Sequence, residues 1–144
     1  MNVLVLYYSR GGHTRAAAEA IGQAARDQNC TVSVKSVIEV RKTDVEHADV
    51  LFVGTWVHGF ILFGVKPAEA ESWVPALPTL AGKRVATFCT YAFNPRGSLP
   101  ALGALLSARG ATLVGQHAFQ RGKPAENAST FVQSVLQSVE RVSG

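Results

Sequence analysis

The sequence predicts an α/β fold: one doubly wound, five-stranded parallel sheet with helices on both faces, occupying residues 1–144 as a single domain. Two observations carry this expectation. Short, continuous runs of β-branched and aliphatic residues alternate with segments of helical period, and the runs are too apolar to keep one face in water. Consecutive parallel strands need crossovers, which the helical segments supply. Length agrees, because 144 residues fill one domain and leave little for a second.

Residues 3–8 (Val-Leu-Val-Leu-Tyr-Tyr) read as a strand buried on both faces and ended by Ser9-Arg10-Gly11-Gly12. A helix follows over 14–27, where Ala17, Ala18, Ile21, Ala24 and Ala25 recur at three- and four-residue spacing before Gln28-Asn29. Residues 31–37 alternate as a second strand, and the charged stretch 36–48 reads as a loop with a short helical turn over 44–47. The buried-strand signal returns over 49–55. A Gly-rich aromatic segment, 56–64, then leads to a helix opened by Pro67 and closing near Pro75 or Pro78. A fourth strand over 84–90, a loop over 91–97 and a helix over 98–109 capped by Gly110 come next. The last unit is a strand over 111–119, a turn at Gly122-Lys123-Pro124 and a helix over 125–142.

Composition removes several classes. With 47% hydrophobic and 17% charged residues the chain is neither disordered nor a coiled coil. The most apolar stretch, 50–65, is interrupted by Thr55, His58 and glycines, so no membrane span is expected. The start, Met1-Asn2 followed by Val-Leu-Val-Leu, lacks a basic opening segment and a cleavage site, which points to the cytoplasm. Cys30 and Cys89 stand far apart without a metal-binding pattern and read as reduced, buried thiols. The net charge of +4 is uneven: no Asp or Glu occurs from Ser72 to Ala125, where Lys83, Arg84, Arg96, Arg109, Arg121 and Lys123 fall. Dispersed as they are, without an interleaved stacking motif, these bases read as solvated surface rather than as a nucleic-acid site. The alternative is a basic rim that steers anionic ligands or an acidic partner.

In doubly wound sheets ligands sit outside the carboxyl ends of the strands. Three loops are therefore candidates: 9–14, 55–65 and 90–97. In the first, Gly11 and Gly12 let the backbone turn tightly, the helix start offers unpaired N–H groups, and Ser9 and Thr14 add hydroxyls, with Arg10 and His13 alongside. This is a phosphate cradle of neither the Walker nor the Gly-x-Gly-x-x-Gly type. Its bland alternative is a turn in which Thr14 simply caps the helix. The second loop, Thr55-Trp56-Val57-His58-Gly59, and the third, Thr90-Tyr91-Ala92-Phe93-Asn94, supply aromatics for a flat ligand and polar groups to read its edge. Trp56 and Phe60 read equally well as a small satellite core under their loop. Together the three loops suit a phosphorylated flat ring.

On these residues the chain resembles the flavodoxin-like family, whose first strand leads into a Ser/Thr-x-Ser/Thr-Gly-x-Thr phosphate loop. Here Ser9-Arg10-Gly11-Gly12-His13-Thr14 takes that place and departs from the pattern at Gly11. The resemblance extends to Gly54-Thr55-Trp56 and to the terminal strand-helix unit through Arg121-Gly122-Lys123-Pro124. It implies strand order 2-1-3-4-5 and noncovalent FMN, with phosphate on 9–14 and isoalloxazine near Trp56 and Tyr91. It also implies a peptide near Gly59 that rearranges with redox state, and a redox partner protein or small electron acceptor. Electron-carrier members are strongly acidic, whereas this chain is basic.

Three functions compete at this stage. The leading one is an FMN redox protein, either an electron carrier or a small reductase of quinone-like acceptors. A phosphatase or arsenate reductase needs Cys-x5-Arg, but six residues separate Cys89 from Arg96, and Pro95 removes an amide. A phosphorelay receiver lacks its acids, because Tyr8-Ser9 and Gly54-Thr55 stand in their places. The third is a domain of this fold that holds no flavin and serves as an interaction module. Phe60-Ile61-Leu62-Phe63, in a segment expected to be exposed, suggests a homodimer contact.

Overall fold

The computed structural model describes residues 1–8, 12–58, 66–67, 73–91, 98–120 and 127–143. Its strands are β1 (Asn2–Tyr7), β2 (Thr31–Ser36), β3 (Val50–His58), β4 (Lys66–Pro67), β5 (Arg84–Tyr91) and β6 (Thr112–Gln120). Its helices are α1 (His13–Asp27), α2 (Lys42–His47), α3 (Ser98–Ser107) and α4 (Ala128–Ser143). Five strands run parallel in the order β2-β1-β3-β5-β6, which is the expected 2-1-3-4-5 once β4 is set aside.

Side-chain alternation along the central strands builds two cores. Val3, Val5, Val50, Phe52, Ala86 and Phe88 face one side, under α1 and α4. Leu4, Leu6, Leu51, Val53 and Val85 face the other, under α2, residues 73–80 and α3. Each run looked uniformly apolar in sequence because both faces are covered. α1 docks through Ala17, Ala18, Ile21, Ala24 and Ala25, the residues its period singled out.

Three departures concern the site. β3 continues to His58, so Trp56, Val57 and His58 stand on a strand rather than in a loop. Trp56 is in register with Thr90, and Val57 and His58 pair antiparallel with Pro67 and Lys66. Pro67 therefore lies in a two-residue strand, and Trp73 is helical; proline is tolerated at such an edge because it has no N–H to pair. Residues 68–72, which would carry that helix, lie outside the described residues. Beyond them the chain closes tight turns, with the Ala76 and Leu77 N–H groups donating to the Trp73 and Val74 carbonyls at 3.1 Å. The proposed dimer segment 60–63 also lies outside the described residues.

Two basic residues are spent on carbonyls at the amino edge of the sheet. Lys83 Nζ donates to the carbonyls of Ala48 at 2.9 Å and Glu46 at 3.1 Å, where α2 ends. Arg109 Nη2 donates to the Leu77 carbonyl at 2.6 Å. Gly110 has φ of +91°, and a Cβ there would stand 2.8 Å from Ala81 Cα, so a glycine closes the turn after α3 as the sequence predicted.

Among the described glycines Gly54 is the most tightly enclosed. A Cβ there would run into the Phe88 ring, which fills the space above it. Gly54→Ala is expected to cost about 1–3 kcal/mol by overpacking. In urea titrations Gly54→Ala with Phe88→Leu should lose less than the sum of the single variants; strict additivity would discard the contact as the cause.

A second prediction concerns His117 on β6, whose ring stacks on Phe131 at 5.4 Å and meets the edge of Phe119 at 4.6 Å. Burial holds its pKa below the ordinary 6.5. The unfolded chain takes up the proton first, so this contribution is complete above pH 6.5 and is lost as pH falls through 6.5 toward the lower folded value. Urea midpoints should decline over that window, and His117→Gln should flatten the decline; an unchanged slope in the variant would assign it elsewhere.

Candidate functional site

The carboxyl edge of the sheet is built outward from β1. The Tyr8 N–H donates to the Gly54 carbonyl at 3.0 Å, which carries the first strand one residue past its end and ties it to β3. Ser9, Arg10 and Gly11 lie outside the described residues. The chain then enters α1 at Gly12, which has φ of +86° and open space around its Cα. Glycine is needed there for conformation rather than for room.

Among the described residues no side chain caps α1, and its first turn holds no acid. The uncapped N–H groups and the positive end of a 15-residue helix therefore face the position where an anion is expected. His13 is exposed beside them. Arg15 points along the helix to Glu19, its Nε 3.2 Å from Oε1. Thr14 does not cap the helix, so the capped-turn reading fails. Instead Thr14 Oγ1 lies 2.9 Å from Thr90 Oγ1, with both residues buried.

This hydroxyl pair joins two of the three sequence-predicted segments, the helix start and the end of β5. Thr55, also buried, is in register with Cys89, and half-buried Trp56 is in register with Thr90. Tyr91, half-buried, ends β5 opposite Gln120. Val57 and His58 complete β3 and pair with Pro67 and Lys66. Gly59, Ala92, Phe93 and Asn94 lie outside the described residues.

One neighbour escaped the sequence reading. Tyr8, which leads into residues 9–11, packs its ring against Trp73 with centroids 6.0 Å apart. Both sit with the core under α3. Only the alternation of β1 hinted at it, since Tyr8 follows Leu4 and Leu6 on that face.

Two other features do not belong to the site. A polar cleft of about 500 Å³ lies between the turn after α1 and the last turns of α4, lined by Gln28, Asn29, Gln133 and Glu140 among others. It opens at the amino edge, away from the helix starts. Cys89 is buried at the end of β5, and desolvation pushes its thiol up to about 12. A thiolate nucleophile there is excluded, in agreement with the faulty Cys-x5-Arg spacing. Cys30 is half-buried on the other edge. A thiol reagent near pH 8 is expected to modify Cys30 and spare Cys89 until the protein unfolds. Peptide mapping that found the two labelled at equal rates would show that the end of β5 opens in the native state.

Comparison with known proteins gives two kinds of match. The model of the flavodoxin domain family matches residues 4–101. A protein named NAD(P)H dehydrogenase (quinone) from Bradyrhizobium sp. strain BTAi1 is 50% identical over 46 residues, 32% of this chain and 23% of that protein. The chain thus aligns with less than a quarter of that relative's length. Among solved structures, oxidised Flavodoxin 2 from Bacillus cereus matches with a TM-score of 0.76 at 21% identity, covering 95% of this chain and 99% of the other. Two-electron reduced Megasphaera elsdenii flavodoxin matches with a TM-score of 0.76 at 23% identity, covering 94% and 98%. At these identities the structural matches speak for the fold.

Proposed function

The chain belongs to the flavodoxin domain family, and from that premise we propose that it is an FMN-binding redox protein acting on a small, quinone-like acceptor or a partner protein. The observation that carries the reading is the start of α1: an uncapped, acid-free helix terminus entered through a left-handed glycine, next to two paired hydroxyls. Such a terminus suits a phosphate monoester. A flat ring beside it would meet Trp56 and Tyr91, which lie near the carboxyl ends of adjacent strands β3 and β5.

When bound, FMN supplies reversible electron and hydride chemistry at its ring. The chain's residues hold and surround it. The α1 N–H groups and Thr14 take the phosphate, and Trp56 and Tyr91 cover the ring by stacking. The buried edge formed by Thr55, Cys89 and Thr90 keeps water from beneath it. The protonated Cys89 thiol stays outside the chemistry.

The name of the matched Bradyrhizobium protein supports a quinone-like acceptor. The basic charge supports the same choice, because acidic docking faces of the electron-carrier kind are missing from the sequence over 72–125. Two free cysteines support a reducing compartment such as the cytoplasm.

The test is an absorbance spectrum from about 300 to 600 nm after incubation with FMN and removal of the excess. A flavin spectrum at near one equivalent, with tryptophan emission quenched, is the expected result. Because Trp73 touches Tyr8, the two indoles are separated with Trp56→Phe and Trp73→Phe; most of the quenching should disappear with Trp56. A colourless protein would reject the proposal in favour of a flavin-free interaction module.

A further inference from the structure

We propose that the β6 end of the molecule is an interface with a second copy of this chain, formed by antiparallel pairing of the two β6 strands about a two-fold axis perpendicular to the sheet. The parallel strands of both copies then share one continuous sheet. The inference is independent of flavin binding.

The first observation is an open edge. Among the described residues β6 pairs with β5 and with no other strand, and it forms one end of the sheet. The outward N–H and carbonyl groups of such a strand are the donors and acceptors that an added strand takes up. A bulge at Val114, where Val85 and Ala86 pair with Leu113 and Gly115, turns the start of the edge aside. From Gly115 to Gln120 the register with β5 is unbroken, which leaves that stretch able to pair.

The second observation is charge. β6 and α3 hold no Asp, Glu, Lys or Arg, and α4 holds none before Glu140. In a chain with 17% charged residues, segments of that combined length would ordinarily hold several. The opposite end of the sheet is different. There β2 carries Lys35, tied to Asp44, and the neighbouring α1 and α2 carry the pairs Arg15–Glu19 and Lys42–Glu46. Edge strands that stay single are commonly guarded by charge, lysine above all; β2 is guarded in this way and β6 is not.

Charge also selects the occupant. A two-fold axis sets a strand against its own copy, so a charge on it would meet a like charge across the pairing. Self-pairing therefore favours a charge-free strand, whereas capture of a charged partner is served by complementary charge on the edge. Size agrees with this choice. The nine residues of β6 run roughly 30 Å and a helix about 10 Å across covers each face, so the end presents on the order of 800 Å², one side of a standard interface. Leu113, 44% exposed against Gly103 of α3, adds apolar area there.

Antiparallel pairing sets residues of the same face opposite one another, so with Ala118 on the axis Gln116 of each copy meets Gln120 of the other. Both glutamines are exposed, and charging them leaves the core untouched. Sedimentation velocity over a range of concentrations is expected to show a dimer of twice the 15.3 kDa chain. Gln116→Lys with Gln120→Lys, and separately Gln116→Glu with Gln120→Glu, should each lose the dimer, because like charges then face each other. Mixed in equal amounts the two variants should recover it, since each lysine then meets a glutamate; misfolded monomers would not recombine. A wild-type chain that stays monomeric at every concentration, a dimer that survives in the lysine variant, or variants that fail to recombine would each overturn the inference.

Discussion

Burial of the parallel sheet on both faces is the constraint from which the rest of this molecule follows. Strands running one way cannot be joined by hairpins, so every connection crosses a face, and the faces must then be apolar to receive the crossing segments. Val3 and Val5 meet one layer while Leu4 and Leu6 meet the other, and β3 repeats the division with Phe52 and Leu51. The same directionality gathers the carboxyl ends of the strands and the starts of the helices at one edge. A binding edge is thus a by-product of how the core is covered.

That constraint also sets what the sequence could reveal. Continuous apolar runs identified β1, β3 and β5, and three- to four-residue spacing identified α1, because each signal is a direct image of burial. The extension of β3 through Trp56, Val57 and His58 was hidden for the opposite reason. It depends on register with Thr90 and on pairing with Lys66 and Pro67, which are contacts distant in sequence. A glycine-rich neighbourhood looks like a loop whether or not a strand edge is available to it. The two-residue β4 has no period to read at all.

The candidate site divides along similar lines. Gly12, Thr14, Trp56 and Thr90 were legible as residue types suited to a phosphorylated ring, because local backbone freedom, hydroxyls and flat side chains announce themselves. Their partnership was not. Nothing in the spacing of Thr14 and Thr90, 76 residues apart, predicts a buried hydroxyl pair. The contact of Tyr8 with Trp73 is equally nonlocal, and it gives the residue before the cradle a fixed seat in the core. Gly12 supplies the left-handed turn through which the chain enters α1.

The lysine that holds the end of α2 changes how the basic character of this protein should be understood. Lys83 has two carbonyls as partners, and Arg109 has one, at the edge remote from the helix starts. These cations neutralise the negative ends of peptide dipoles. An isoelectric point near 9.4 is therefore a property of the titration curve and of migration in an electric field. What an arriving solute senses is the local potential, and Lys83 and Arg109, spent on carbonyls at the far edge, add to the net charge without facing the start of α1.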